Sequence, residues 1–270
     1  LRTETRIGIG VCAALLATFL LVRKLLAAPP AIAQIWATDD LVLAAPEDDA
    51  PCRGDNPPAL IWGACVLRKF AQEIGASPYD TLPALADNLR SVILEVAPQR
   101  IYGFGHGNPN GYSCEKCELF FHSSGLNLDL VNNRYVHLLS CLCSQVLGHK
   151  IVEAGARAFF GYYEEFWLLG KVAPCSGRFV EAVVYGDLEI ERELARGQED
   201  LEAIYNRSIE RFNEEISYWQ EHWDEENCNG VGISEWEAQQ LINVIIHDRN
   251  ALRAYAVGQE YPPIPELPSI

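Results

Sequence analysis

Apolar residues recur along this chain at two different periods. Short apolar runs that stop at glycine, proline or polar clusters lie at Asp40–Ala45 (DLVLAA), Arg100–Gly107 (RIYGFGHG), Arg134–Cys141 (RYVHLLSC) and Ala156–Tyr163 (ARAFFGYY). Their length and boundaries predict buried strands. Between them the spacing lengthens to three or four. Val66, Phe70 and Ile74 predict one helix. Leu82, Leu85, Leu89, Val92 and Val96, behind a capping Asp80, predict a second, and Gln145–Ala154 reads as a short third. Strand, helix and strand in this order imply a right-handed crossover and a parallel sheet.

Beyond Gly197 the helical period takes over. Leu201, Ile204, Ile209, Phe212, Ile216, Trp219 and Trp223 predict a long amphipathic helix, its one wide step filled by Tyr205. Ser234 followed by Glu237 is a capping-box pattern opening another helix with Leu241, Val244, Ile245 and Leu252. The tail YPPIPELPSI is too rich in proline for regular helix. The expected fold is a three-layer α/β domain over 39–195 with a parallel-rich sheet, then an acidic helical extension over 196–270. Tyr205, Phe212, Trp219 and Trp223 read as a packing seam, with a partner protein at these helices as a further expectation.

Residues 1–38 have a different character. Ile7–Val22 carries no charge, and with Arg23 and Lys24 snorkelling the apolar stretch reaches Ala28, close to the roughly 20 residues a bilayer core requires. A single-pass membrane anchor over Ile7–Ala28 is expected. The rival readings are a buried helix and an uncleaved secretory-type segment ending near Ala31-Ile32-Ala33.

Composition narrows the function. With 270 residues, 49% of them hydrophobic, the chain can bury a sizeable core. Its net charge of −16 repels phosphate backbones and argues against general nucleic-acid binding. The acid is concentrated: Glu181–Gln240 holds 17 carboxylates against 4 arginines and no lysine. These are read as solvated helix faces. Nine cysteines is an odd number, so at least one is unpaired within the chain.

In a parallel sheet, functional groups gather beyond the carboxyl ends of the strands. His106 and Cys141 both sit there, and Gly105 and Gly107 allow the backbone a close approach. If the two strands are neighbours, imidazole and thiol meet over one edge. That pair suits nucleophilic catalysis, with the histidine exchanging protons and backbone amides near Gly107 and Cys141 holding the oxyanion. Other arrangements compete. Cys114-x-x-Cys117 with Cys141-x-Cys143 could bind zinc, His106 or His122 substituting. Cys114 and Cys117 could instead form a disulfide, and Cys143 is the fallback nucleophile. His137 is expected inside a strand on a core or interface face; His149, His222 and His247 read as ordinary helix residues.

The order IYGFGHGN, YVHLLSC, short helix, GARAFFGY resembles the caspase-like cysteine peptidases, the superfamily of caspases, metacaspases, gingipains, legumain and clostripain. The likeness covers about Asp40 to Tyr163, and IWGACVLRKFAQEI is similar to the helix that usually precedes the histidine. The resemblance implies a cysteine endopeptidase with Cys141 as nucleophile, His106 as its dyad partner, the Gly107 and Cys141 amides as oxyanion donors, a polypeptide substrate and no cofactor. One departure is the run Ser140-Cys141-Leu142-Cys143-Ser144, where many members place glycine or a small residue soon after the nucleophile. The acidic surface suits basic substrates and cleavage after Arg or Lys. The alternative is a non-catalytic, membrane-associated assembly subunit with the same fold and structural cysteines, held by zinc or disulfides.

Overall fold

Two apolar strands joined by a tight turn begin the ordered core. In the computed structural model, which describes residues 35–45, 58–79, 83–168, 178–228 and 231–261, β1 (Ile35–Ala37) and β2 (Leu41–Ala44) form an antiparallel hairpin. Thr38 closes it: its Oγ1 accepts the Asp40 and Leu41 N–H groups, and its own N–H donates to Leu41 O. Helix α1 (Pro58–Glu73) and the two-residue strand β3 (Ser77–Pro78) follow, β3 pairing with the outer side of β1.

The predicted βαβ arrangement is present. Helix α2 (Ala86–Val96) leads into β4 (Arg100–Phe104), which pairs in parallel with β2. After β4 comes a small antiparallel sheet of β5 (His106–Asn108), β6 (Gly111–Ser113) and β7 (Leu119–His122). The chain then returns as β8 (Tyr135–Leu139), parallel to β4, crosses through α3 (Leu147–Glu153) and adds β9 (Ala158–Tyr162), parallel to β8. Three long helices follow: α4 (Arg178–Ala195), α5 (Leu201–His222) and α6 (Glu235–Ala251). A minor hairpin, β10 (Asn227–Cys228) with β11 (Val231–Gly232), separates the last two. Finally β12 (Leu252–Ala256) pairs antiparallel with β9, and β13 (Gln259–Glu260) with β12. The main sheet runs β13-β12-β9-β8-β4-β2-β1-β3.

Alternation along the strands explains the layers. Val42, Ile101, Val136, Leu138 and Phe159 are buried in one cluster with Leu89, Val92 and Ile93 of α2 and Leu147 and Ile151 of α3. The opposite face presents Tyr102, His137 and Tyr162, which bond to α4. Helix α1 is tied to α4 through Lys69–Glu181 and Glu73–Arg192, while α5 seats Phe212 against Gly186, where a Cβ would lie 2.3 Å from the ring.

Several expectations change. The segment 1–34 lies outside the described residues, as do Asp80 and most of the proline-rich tail. The single-pass anchor over Ile7–Ala28, and the membrane localisation built on it, are corrected: no helix among the described residues is long and apolar enough to cross a membrane, and the anchor segment itself is not described. Helix α2 begins at Ala86, whose N–H donates to Glu118 Oε2 at 2.9 Å, so a carboxylate 32 residues away binds the helix start. The capping box at Ser234 and Glu237 is present, but Leu252 opens a strand because α6 ends at Ala251. The span expected to be a helical extension therefore contributes β12 to the main sheet. The acidic faces are only partly solvated: Asp187, Glu189, Glu191, Glu215 and Asp248 are buried.

Candidate active site

The register of three parallel strands positions the candidate residues. Phe104 of β4 is paired with Leu139 of β8, and Leu138 with Gly161 of β9. Counting two residues past the Phe104–Leu139 pair reaches His106 on one strand and Cys141 on the next. The row is held beyond the strand ends, since Gly105 N donates to Leu139 O at 3.3 Å. His106 and Cys141 are both partly exposed.

Gly107 then packs directly on the turn that carries the cysteine. A Cβ there would lie 2.2 Å from both Cys141 O and Ser140 Oγ, and 2.7 Å from Cys143 Sγ, so only glycine fits. Its backbone direction follows from the hairpin. Asn108 and Gly111 close a two-residue loop, which makes them the hydrogen-bonded pair and leaves Gly107 opposite Tyr112 as the non-hydrogen-bonded pair. The Gly107 N–H is thereby directed away from β6, off the free edge of β5.

The turn after β8 is tightly specified. Leu142 adopts φ 62°, a left-handed conformation that costs a β-carbon-bearing residue about 1–2 kcal/mol. It is held there by backbone bonds: Leu142 N to Glu164 O (3.1 Å), Ser144 N to Tyr162 O (3.0 Å) and Gln145 N to Leu142 O (3.0 Å). Gln145 Nε2 adds a bond to Tyr163 O at 2.8 Å. The cysteine-bearing turn is thus fastened to the segment leaving β9.

The remaining thiols are differently placed. Cys143 is fully buried, bonded to Ser140 Oγ at 3.4 Å, and burial pushes its pKa up to about 12; this corrects its reading as a fallback nucleophile, because a thiol there is neither ionised nor accessible. Cys114 is free and buried, its pKa also raised to about 12 by burial, so the alternative Cys114–Cys117 disulfide does not form. Cys117 and Cys65 are each engaged in a disulfide. The four-thiolate set of Cys114, Cys117, Cys141 and Cys143 is not assembled: Cys117 is committed, and among the described residues no group of three or more His, Cys, Asp or Glu gathers as a metal site would require. His122 Nδ1 lies 2.7 Å from Ser124 Oγ in its own turn.

One cluster escaped sequence reasoning. Two residues before the Phe104–Leu139 pair and four before Cys141, His137 is completely buried and stacked on Tyr102 with ring centroids 4.5 Å apart. Its Nε2 donates to Asp187 Oδ1 (2.9 Å) and its Nδ1 to Glu191 Oε1 (3.2 Å). Tyr102 and Tyr162 hydroxyls donate to Asp187 at 2.6 and 2.7 Å, and Arg100 reaches Glu191. Burial alone would lower the His137 pKa; the Asp187 charge and the bonds from both carboxylates override it and hold the imidazolium up to about 9. The available signal was the row of polar residues, Tyr102, His137 and Tyr162, at inward strand positions, which need buried partners.

No protein-family model matches the chain, and no curated protein or solved structure matches it either.

Proposed function

We propose that the protein is a caspase-like cysteine endopeptidase in which Cys141 is the nucleophile and His106 its acid-base partner. The observation that carries this reading is the common row: histidine and cysteine each two residues past one strand pair of a parallel sheet, with Gly107 pressed against the cysteine turn. In the proposed reaction His106 takes the thiol proton and the thiolate attacks the substrate carbonyl carbon. The outward Gly107 N–H and the Cys141 N–H hold the oxyanion, and His106 protonates the departing amine. Water, deprotonated by the same histidine, then hydrolyses the thioester and regenerates the thiol. The residues alone supply this chemistry, so the proposal calls for no cofactor.

The test follows each cysteine of the native protein by mass spectrometry under limiting iodoacetamide, alongside hydrolysis of an unfolded polypeptide. Cys141 is expected to label at least tenfold faster than Cys114 or Cys143 and to slow in His106→Ala, while Cys141→Ala abolishes hydrolysis. If Cys141 labels slowly and the Cys141→Ala protein retains hydrolysis, the endopeptidase reading fails. The non-catalytic assembly subunit then becomes the better account, with disulfide-bonded Cys65 and Cys117 as its structural cysteines.

A further inference from the structure

In a chain with 37 acidic and 21 basic side chains, two arginines near the end of α6 keep uncharged company. Arg249 is only 6% exposed. Its Nε and Nη2 donate to Asn250 Oδ1 at 3.2 and 3.1 Å, and its Nη1 to Asn213 Oδ1 at 2.5 Å. Arg253, half-buried at the start of β12, is tied to the same asparagine: its Nη1 donates to Asn250 O at 2.6 Å and to Leu252 O at 2.7 Å. Its guanidinium also lies 5.3 Å from the centre of the Tyr163 ring. Among the described residues, every hydrogen bond from the two guanidiniums therefore ends on a neutral oxygen.

A third group faces the same place from α5. Tyr205 is 5% exposed, and its hydroxyl is buried with no hydrogen-bond partner among the described residues. Burial raises the Tyr205 pKa, and the charges of Arg253 and Arg249 both oppose that rise, so the hydroxyl lies within the field of both. Burial likewise holds the Arg249 pKa below its ordinary value, opposed by Tyr205 rather than by a carboxylate. The carboxylates of Glu202 and Asp200 act instead on Tyr261, whose ring stacks over Tyr205 with centroids 6.1 Å apart.

We propose that Arg249, Arg253 and Tyr205 form a binding site for an oxyanion, a carboxylate or phosphate group, between α5 and the junction of α6 with β12. The inference stands apart from the peptidase reading. A guanidinium withdrawn from water is costly without a counter-charge, and here two of them share one asparagine. Guanidinium forks match the paired oxygens of carboxylate and phosphate, and the bondless Tyr205 hydroxyl supplies a further donor. Half-exposed Asn250 and Arg253 give the ligand its approach. The net negative charge of the chain opposes anions at long range, but salt screens that field beyond about 10 Å, so the local pair decides. The oxyanion has two sources: a free anion, or the carboxylate of Glu266, five residues beyond Tyr261 in the sequence.

The experiment follows thermal unfolding of the full chain in rising low-millimolar inorganic phosphate, with ionic strength held constant by sodium chloride. Wild type, Arg253→Gln, Tyr205→Phe, Glu266→Gln and a distant control, Arg157→Gln, are compared. With a free anion as the occupant, wild type and Arg157→Gln gain a saturating rise of about 2 °C or more. Arg253→Gln loses that rise and Tyr205→Phe needs more phosphate to reach it. With Glu266 as the occupant, wild type does not respond, whereas Glu266→Gln unfolds at a lower temperature and acquires a phosphate response that adding Arg253→Gln removes. Both patterns support the site and tell its sources apart. No phosphate response in either wild type or Glu266→Gln, or a response of equal size in Arg253→Gln, overturns the proposal.

Discussion

A single missing side chain sets how closely the two candidate catalytic strand ends approach. Because a Cβ at Gly107 would fall 2.2 Å from Cys141 O and Ser140 Oγ and 2.7 Å from Cys143 Sγ, even a methyl group must push the cysteine turn away from β5. We predict that Gly107→Ala destabilises the protein by about 1–3 kcal/mol, as overpacking does, and lowers hydrolysis by more than its folded fraction explains. Urea denaturation and activity on the same sample separate the two effects. Leu142, directly after Cys141, occupies a left-handed backbone conformation that glycine adopts without strain. The placement of His106 and Cys141 just past neighbouring strand ends was legible because each ends an apolar run. The tie from Leu142 N to Glu164 O was not, because it depends on the register of a third strand, which one-dimensional spacing does not reveal.

At the level of elements, strands and crossovers were readable wherever local signals set them: β4, β8, β9, α2 and α3 lie within the runs that predicted them, and α6 starts at its capping box. Ser234→Ala should cost about 1 kcal/mol through the lost bond to Glu237 N, read as a lower urea midpoint at unchanged slope. Helix α4 was missed because its inward face mixes Val183, Val184 and Leu188 with Asp187 and Glu191, a pattern that looks half-solvated. Only the tyrosines and His137 on the facing strands make those carboxylates buriable. Cutting one partner shows the dependence. Asp187→Asn should destabilise by about 3–5 kcal/mol, since it leaves a buried imidazolium short of a counter-charge; thermal unfolding would register the loss.

For the molecule as a whole, that cluster links stability to pH. His137 has an ordinary pKa near 6.5 and a folded value of about 9, so the folded state binds its proton more tightly. The stabilisation is complete below about pH 6.5 and disappears as pH rises through about 9. The groups facing the imidazole are Asp187 and Glu191 from α4 and Tyr102 from β4. Asp248, its pKa raised well above the ordinary carboxylate value by burial, acts in the same direction from a lower starting pH. Urea midpoints measured from pH 6 to 10 should fall in wild type, and much less steeply in His137→Gln. A flat wild-type profile would refute the charged-histidine assignment.

The strand that pairs with the outer edge of β9 is made only after α4, α5 and α6. Because β12 lies between β9 and β13, a growing chain that has produced everything through α6 still has the outer edge of β9 unpaired, with Phe159, Phe160 and Tyr162 beside it. Such an edge invites pairing with other chains. Successful biogenesis therefore turns on how soon Leu252–Ala256 leaves the ribosome, and stalling just upstream of that strand would favour aggregation over maturation.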